Sequence, residues 1–428
     1  MESRKVGGGN VGKKNPALTD LIRRAADARG WGASHLARAV GVAESGDPAR
    51  VNRANARRWL TGERAPEYWW PYIAQVLNLD PTNIPSATEH ADAPAPDDAG
   101  ALSPLAALAT LSAPELPCEI RPGDIEEVQQ AALTLTSWHN LHGGAGLVHQ
   151  SSTAQLAWAA RLLNVPCIPV LHPELFAAVA HLGMVTGAVC FDAFAHHDAR
   201  RAFAFAATCA EEAGEWHLRG KIYSWRARQA VWLDRPDNAL TYAEVGAVRV
   251  ERLTPTERAM LSTARARAHA KTGDAQATLT AVGEADDAFS HTHPADDPPW
   301  MAYYDHAQHQ GDTGHALVDL AMATRDPQHV KVAGERLAVA TSLHADSYVR
   351  SRVFSRTKLA TLTMATGDPY EAVQIGTTAL EEAARVRSGR ADAGLVELAR
   401  TVKHERATVA VAAELRERIA RTIGKGTM

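Results

Sequence analysis

The stretch Asn52-Arg53-Ala54-Asn55-Ala56-Arg57-Arg58-Trp59 gathers side chains suited to reading nucleic acid. A guanidinium grips guanine O6 and N7 with two bonds, and a carboxamide does the same for adenine N6 and N7. Asn52, Arg53, Asn55 and Arg57 are therefore assigned to base contacts. On a helix, Trp59 and Ala56 share a face that would pack on neighbouring helices and turn the polar residues outward. Arg58, Arg64 and Ser34 are assigned to phosphates, together with Lys13 and Lys14 on a glycine-rich arm over residues 1–15. A charged run is often just a solvated face. Its combination with a Trp anchor and groove-reading residue types favours double-stranded DNA as partner.

The charge distribution agrees. Residues 1–80 carry 13 Lys/Arg against 8 Asp/Glu, net +5, and the remainder carries 32 against 41, net −9, so the overall −4 conceals a basic head on an acidic body. One end suits phosphates; the other would be repelled by them.

A second set of residues could hold a ligand. Trp225, Arg226, Tyr303 and Tyr304, with Trp232 and Trp300, could line a groove for a peptide, small-molecule or protein effector, although aromatics at helical spacing serve equally well as core. Arg226 and Arg228 stand two apart and cannot face the same way; Arg226 is assigned to the groove. Among nineteen histidines, the best metal candidates are His139/His142, His196/His197, His291/His293 and Asp305/His306/His309, the last close enough on a helix for two to share a face, but no His-Glu-x-x-His or comparable pattern supports them. No metal and no cofactor is expected. There is no G-x-S-x-G, no phosphate-cradling P-loop and no cysteine with an informatively placed histidine, so catalysis is not expected either. Cys118, Cys167, Cys190 and Cys209 lie far apart without a Cys-x-x-Cys pair and are read as reduced thiols.

The elements that must position these residues are helical. Residues 16–80 form a first domain. Eight prolines between Pro81 and Gly123 mark residues 81–123 as a linker, with at most a short helix over residues 102–111. Residues 124–172 read as a helical connector, and residues 173–428 as a helical repeat domain ending in capping helices. Ala, Leu and Arg dominate, apolar residues recur with helical period, and β-branched runs are few, so the fold class is all-α. Turns are expected at Asp198, Asp237, Asp274, Asp312 and Asp368; around Gly273-Asp274 and Gly367-Asp368, Gly ends one helix and Asp caps the next. No uncharged apolar window of about 18 residues stands out, and the N-terminus lacks a signal-type apolar core, which suggests a cytoplasmic protein.

From Leu21 to Asp80 the chain resembles the Cro/C1-type, or XRE, helix-turn-helix family. The resemblance rests on a first helix Leu18–Gly30, a second over Ser34–Val42 with Leu36-Ala37 and Gly41-Val42, the run Trp59-Leu-Thr-Gly62-Glu-Arg-Ala-Pro66, and a closing helix Ile73–Asp80. Two departures stand out. Eighteen residues separate Gly41 from Trp59, about twice the usual spacing, so residues 43–49 are expected to loop out and Pro48 to start the recognition helix. Ala33 also stands where the family often has a phosphate-binding glutamine.

The runs around Gly273-Asp274 and Gly367-Asp368 resemble tetratricopeptide (TPR) repeats, with other α-solenoids as the alternative. Leu135-Thr-Ser-Trp-His-Asn-Leu-His-Gly-Gly-Ala-Gly146 is similar to a Gly-Gly corner of actinobacterial regulators that join this helix-turn-helix to TPR-like repeats. That resemblance implies a homodimeric regulator of differentiation or secondary metabolism, its repeats holding an effector. The alternatives are a repeat scaffold for a partner such as a sigma or anti-sigma factor, with loose DNA association, and, more remotely, a metal-dependent enzyme.

Overall fold

The structure, a computed structural model, describes residues 16–27, 29, 31–45, 47–66, 68–77, 79 and 115–424. The arm with Lys13 and Lys14, residues 81–114 of the linker and Asp80 lie outside them. Every regular element among the described residues is a helix, and the chain divides into two units between Ala113 and Pro114.

Among the described residues the first unit has four helices: α1 (Pro16–Asp27), α2 (Ala33–Ser45), α3 (Arg53–Thr61) and α4 (Trp70–Leu77). Their apolar faces meet around Ile22, Leu36, Val40, Trp59, Ile73 and Leu77, all nearly inaccessible to water. Trp59 is the centre of this core, with the Trp69 ring at 6.0 Å, and Gly62 ends α3 in the left-handed conformation.

Two expectations are corrected here. The second helix, expected over Ser34–Val42 and turning at Gly41-Val42, continues through them to Ser45. The glycine serves a close approach instead, since a Cβ at this position would stand 2.6 Å from the Asp47 carbonyl oxygen. Pro48 was to begin the next helix, but it lies in a turn closed by the Ala49 amide donating to Asp47 Oδ1 at 2.8 Å. Helix α3 starts five residues later because Asn52 Oδ1 accepts from the Asn55 amide at 2.8 Å, an N-cap bond that Pro48 cannot supply.

The second unit is a succession of seven helical hairpins among the described residues. They are α5 (Pro122–His142) with α6 (Leu147–Leu162), α7 (His172–Asp192) with α8 (His196–Glu212), and α9 (Trp216–Trp232) with α10 (Pro236–Gly246). There follow α11 (Pro255–Thr272) with α12 (Ala275–Ser290), α13 (His306–Thr324) with α14 (Pro327–Leu343), α15 (Val349–Thr366) with α16 (Pro369–Ala383), and α17 (Gly389–Glu405) with α18 (Ala410–Gly424). Local chemistry sets many of the boundaries. Thr254 and Glu257 form a capping box before α11, Gly273 ends that helix with φ 76°, and Asp274, Asp326 and Asp368 cap α12, α14 and α16.

Asp312 departs from the expected pattern. Gly311-Asp-Thr-Gly314 reads locally as a turn, but it lies in the middle of α13, whose cap is Asp305 with Oδ1 accepting from the Gln308 amide at 2.9 Å. The Asp312 carboxylate is instead held by Arg228 from α9 at 2.6 Å.

The first helices of successive hairpins pack side by side, and the array closes on itself, with α15 packing on α5. The Arg387 amide donates to the His142 carbonyl at 2.7 Å and the Ala145 amide to the Arg387 carbonyl at 3.0 Å. A Cβ on Gly143, whose φ is 82°, would stand 2.3 Å from the Arg387 carbonyl oxygen, so the Gly-Gly corner is what admits the far end of the chain. Beneath this junction Asp192 is fully buried and accepts from the Gly144 amide and the Ser388 hydroxyl, both at 2.8 Å. Helix α7 supplies that carboxylate and is buried almost all round, which explains its uniformly apolar sequence. By length and composition α7 is apolar enough to cross a membrane, contrary to the expectation that no such segment exists, but 83% of its apolar window is buried among the other helices.

Candidate functional site

In the first unit the residues assigned to DNA lie on and around α3. Ala56 and Trp59 face the core, and Arg53, Arg57 and Arg58 are exposed, as is Arg64 beyond the helix end. None of these four arginines forms an ion pair among the described residues, so their guanidiniums remain available. Arg53 and Arg57 are one turn apart on the same face. Asn55 is half-buried, and Asn52 is exposed but uses its side-chain oxygen as the cap. That bond occupies the acceptor a two-point contact to adenine would need, leaving Arg53, Asn55 and Arg57 better placed. Ser34 is exposed in the first turn of α2.

In the second unit the closed array surrounds a cavity of about 160 Å³. Every hairpin contributes its first helix to the wall. Trp225 and Tyr303 line it as expected; Arg226 and Tyr304 do not. The Arg226 guanidinium lies over the Tyr223 and Tyr242 rings on another side of α9, and Arg228 takes the inward position. Tyr304 is buried behind the wall, its hydroxyl 2.9 Å from that of Thr263. Lys221, Trp225 and Arg228 fall at i, i+4 and i+7 on α9, and Gln308, Asp312 and His315 repeat that stripe on α13. The stripe is the signal by which Arg228 could have been chosen over Arg226.

Four guanidiniums from four helices, Arg228, Arg267, Arg350 and Arg390, reach this cavity. Asp312 answers Arg228, and Asp192 lies 3.6 Å from Arg350. Burial would raise the Asp192 carboxyl, but Arg350, His139 and Arg390 outweigh it and hold the group well below the ordinary carboxylate range. The same balance sets Asp312 at about 2: burial raises it, and Arg228 and Arg267 pull it down. Arg390 is pushed down to about 9 by burial, against the attraction of Asp192 and with repulsion from the other three arginines. Lys221 Nζ donates to the Trp300 carbonyl and sits 3.7 Å from the centroid of the Tyr303 ring; burial takes this amine well below its usual pKa.

Of the Asp305/His306/His309 group considered for metal, Asp305 is a helix cap and His306 is exposed, whereas His309 stacks on Phe289 and meets Asp286 Oδ1 at 2.8 Å. Among the described residues no group of three or more potential ligands gathers. All four cysteines are free.

The structure thus defines an all-helical protein of two units, one presenting exposed arginines on a short helix and the other enclosing a cationic cavity. Comparison with protein-family models, curated proteins and solved structures finds no match to the chain.

Proposed function

We propose that the chain is a sequence-specific DNA-binding transcriptional regulator of the XRE helix-turn-helix type, with a TPR-like effector-binding domain. The observation that carries this reading is α3, a helix anchored by Trp59 whose outward side holds Arg53 and Arg57 without ion-pair partners among the described residues. As the recognition helix it enters the major groove, and Arg58 and Arg64 hold phosphates. The resemblance adds a cytoplasmic homodimer on two half-sites, acting in differentiation or secondary metabolism. The second unit holds the effector.

Selection of bound sites from random duplexes, followed by binding at several salt concentrations, tests the proposal. A discrete pseudo-palindromic site is expected. Arg53→Ala should relax preference at one base position, by about 1–3 kcal/mol of discrimination. Sequence-independent binding, with only a uniform loss on Arg53→Ala, would favour the scaffold alternative.

A further inference from the structure

We infer that the cavity of the second unit binds a small organic acid: a flat apolar or aromatic body with an oxyanion head, a carboxylate or phosphate monoester, seated on Arg267, Arg350 and Arg390. The inference deepens the reading of this unit as the effector-binding half.

Charge is the first reason. Four guanidiniums line the cavity beside one carboxylate, Asp312, which Arg228 engages; Asp192, near Arg350, and Asp319, which also attracts Arg267 but pairs with Lys271 and Lys358, lie outside the lining. Arg267 and Arg390 make no ion pair among the described residues. The Nε atoms of Arg267, Arg350 and Arg390 are buried without a hydrogen-bond partner, although Arg350 and Arg390 are only 7% and 5% exposed. A buried cation is costly unless a counter-charge and hydrogen-bond acceptors meet it. An oxyanion supplies both, and the planar fork of arginine matches its geometry.

The cations are also held in place. The Arg390 guanidinium lies 4.5 Å from the centroid of the Phe191 ring, 4.6 Å from that of Phe354 and 5.2 Å from that of Trp232. Stacking of this kind orients the donors before a ligand arrives. The rest of the wall suits an apolar body, with Trp225, Trp300, Tyr303 and Phe354 around the same space, and Trp300 adds a buried, unpartnered indole N–H.

Size excludes an extended peptide. The cavity, about 160 Å³, is comparable to the roughly 150 Å³ cavities that admit a benzene ring. The junction of residues 142–145 with Arg387 closes the array that an open groove would need.

Calorimetric titration of the full chain with benzoate, indole-3-acetate, 1-naphthoate and phenyl phosphate, each beside its uncharged amide or alcohol, tests the inference. At least one acid should bind while its neutral counterpart does not, and whether carboxylates or the phosphate ester lead identifies the head group. Arg390→Gln and Arg267→Gln should each weaken that acid about tenfold to a hundredfold, the effect of losing a hydrogen bond to a charged group. Arg226→Gln, on another side of α9, should leave it within about twofold. Equal binding of acids and neutral counterparts, no binding of any acid up to millimolar concentration, or unchanged affinity in both cavity variants overturns the inference. Circular dichroism establishes that each variant folds; if Arg390→Gln does not, the half-buried Arg267 carries the test. The titration contains no DNA, so its failure leaves the DNA-binding result standing, and acid binding without site-specific DNA binding would refute the regulator alone.

Discussion

Replacing Asp192 by Asn should open the closed array of the second unit. The carboxylate accepts from the Gly144 amide and the Ser388 hydroxyl at 2.8 Å each, and it stands 3.6 Å from Arg350 and 3.5 Å from His139. It ties together the Gly-Gly corner, α7, α15 and the start of α17. The amide has almost the same volume, so packing is preserved. Its single oxygen, however, cannot serve both donors, its NH2 group adds donors of its own, and the charge opposing Arg350 and Arg390 disappears. Leaving a buried cation without its partner costs about 3–5 kcal/mol. For a unit of this size, an unfolding entropy near 2.1 cal/mol/K per residue converts that loss to a Tm lower by about 5–8 °C. Scanning calorimetry measures the shift, and amide hydrogen exchange at Gly144, Ala145 and Arg387 should quicken, since these amides form the junction. A Tm within about 1 °C of the parent, with exchange unaltered, would refute the claim that Asp192 holds the ends together.

Two further outcomes follow from the same region. His139 and His181 are buried and lowered from 6.5 to about 4, each chiefly by burial, with Arg350 repelling the first and Lys221 the second. Both bind a proton less readily folded than unfolded, so the stability they contribute is complete above about pH 6.5 and is lost as pH falls towards 4, by up to about 3 kcal/mol each. Thermal melts across that window should show the decline, and His181→Gln should flatten it; a Tm independent of pH from 6.5 to 4 would contradict the assignment. Gly143→Ala should cost about 3 kcal/mol or more, because its Cβ would both strain a φ of 82° and stand 2.3 Å from the Arg387 carbonyl oxygen. Denaturant unfolding measures this loss, and a change below about 1 kcal/mol would mean that the junction readily yields.

Much of the helical framework was legible because it depends on chemistry within a few residues. Apolar period, the Thr254 and Glu257 capping box, the Gly273-Asp274 boundary and the Trp59 anchor each act between neighbours along the chain. Local signals were overruled where packing against another segment decided the geometry. Gly41 looked like part of a turn but lies within α2, where it makes room for the Asp47 carbonyl. Asp312 looked like a turn residue but sits inside α13, bound to Arg228, 84 residues away.

By itself, then, the sequence determined that the chain is helical, that its net positive charge lies in the first 80 residues and that α3 pairs a tryptophan anchor with outward arginines. Tertiary structure alone decided that the hairpins close, that Arg228 rather than Arg226 turns inward, and that arginines numbered 228 to 390 share one cavity. The physical reason is range. Propensity and capping act over one or two turns, whereas the cavity depends on how the hairpins stack, and small changes in that stacking decide which cations meet.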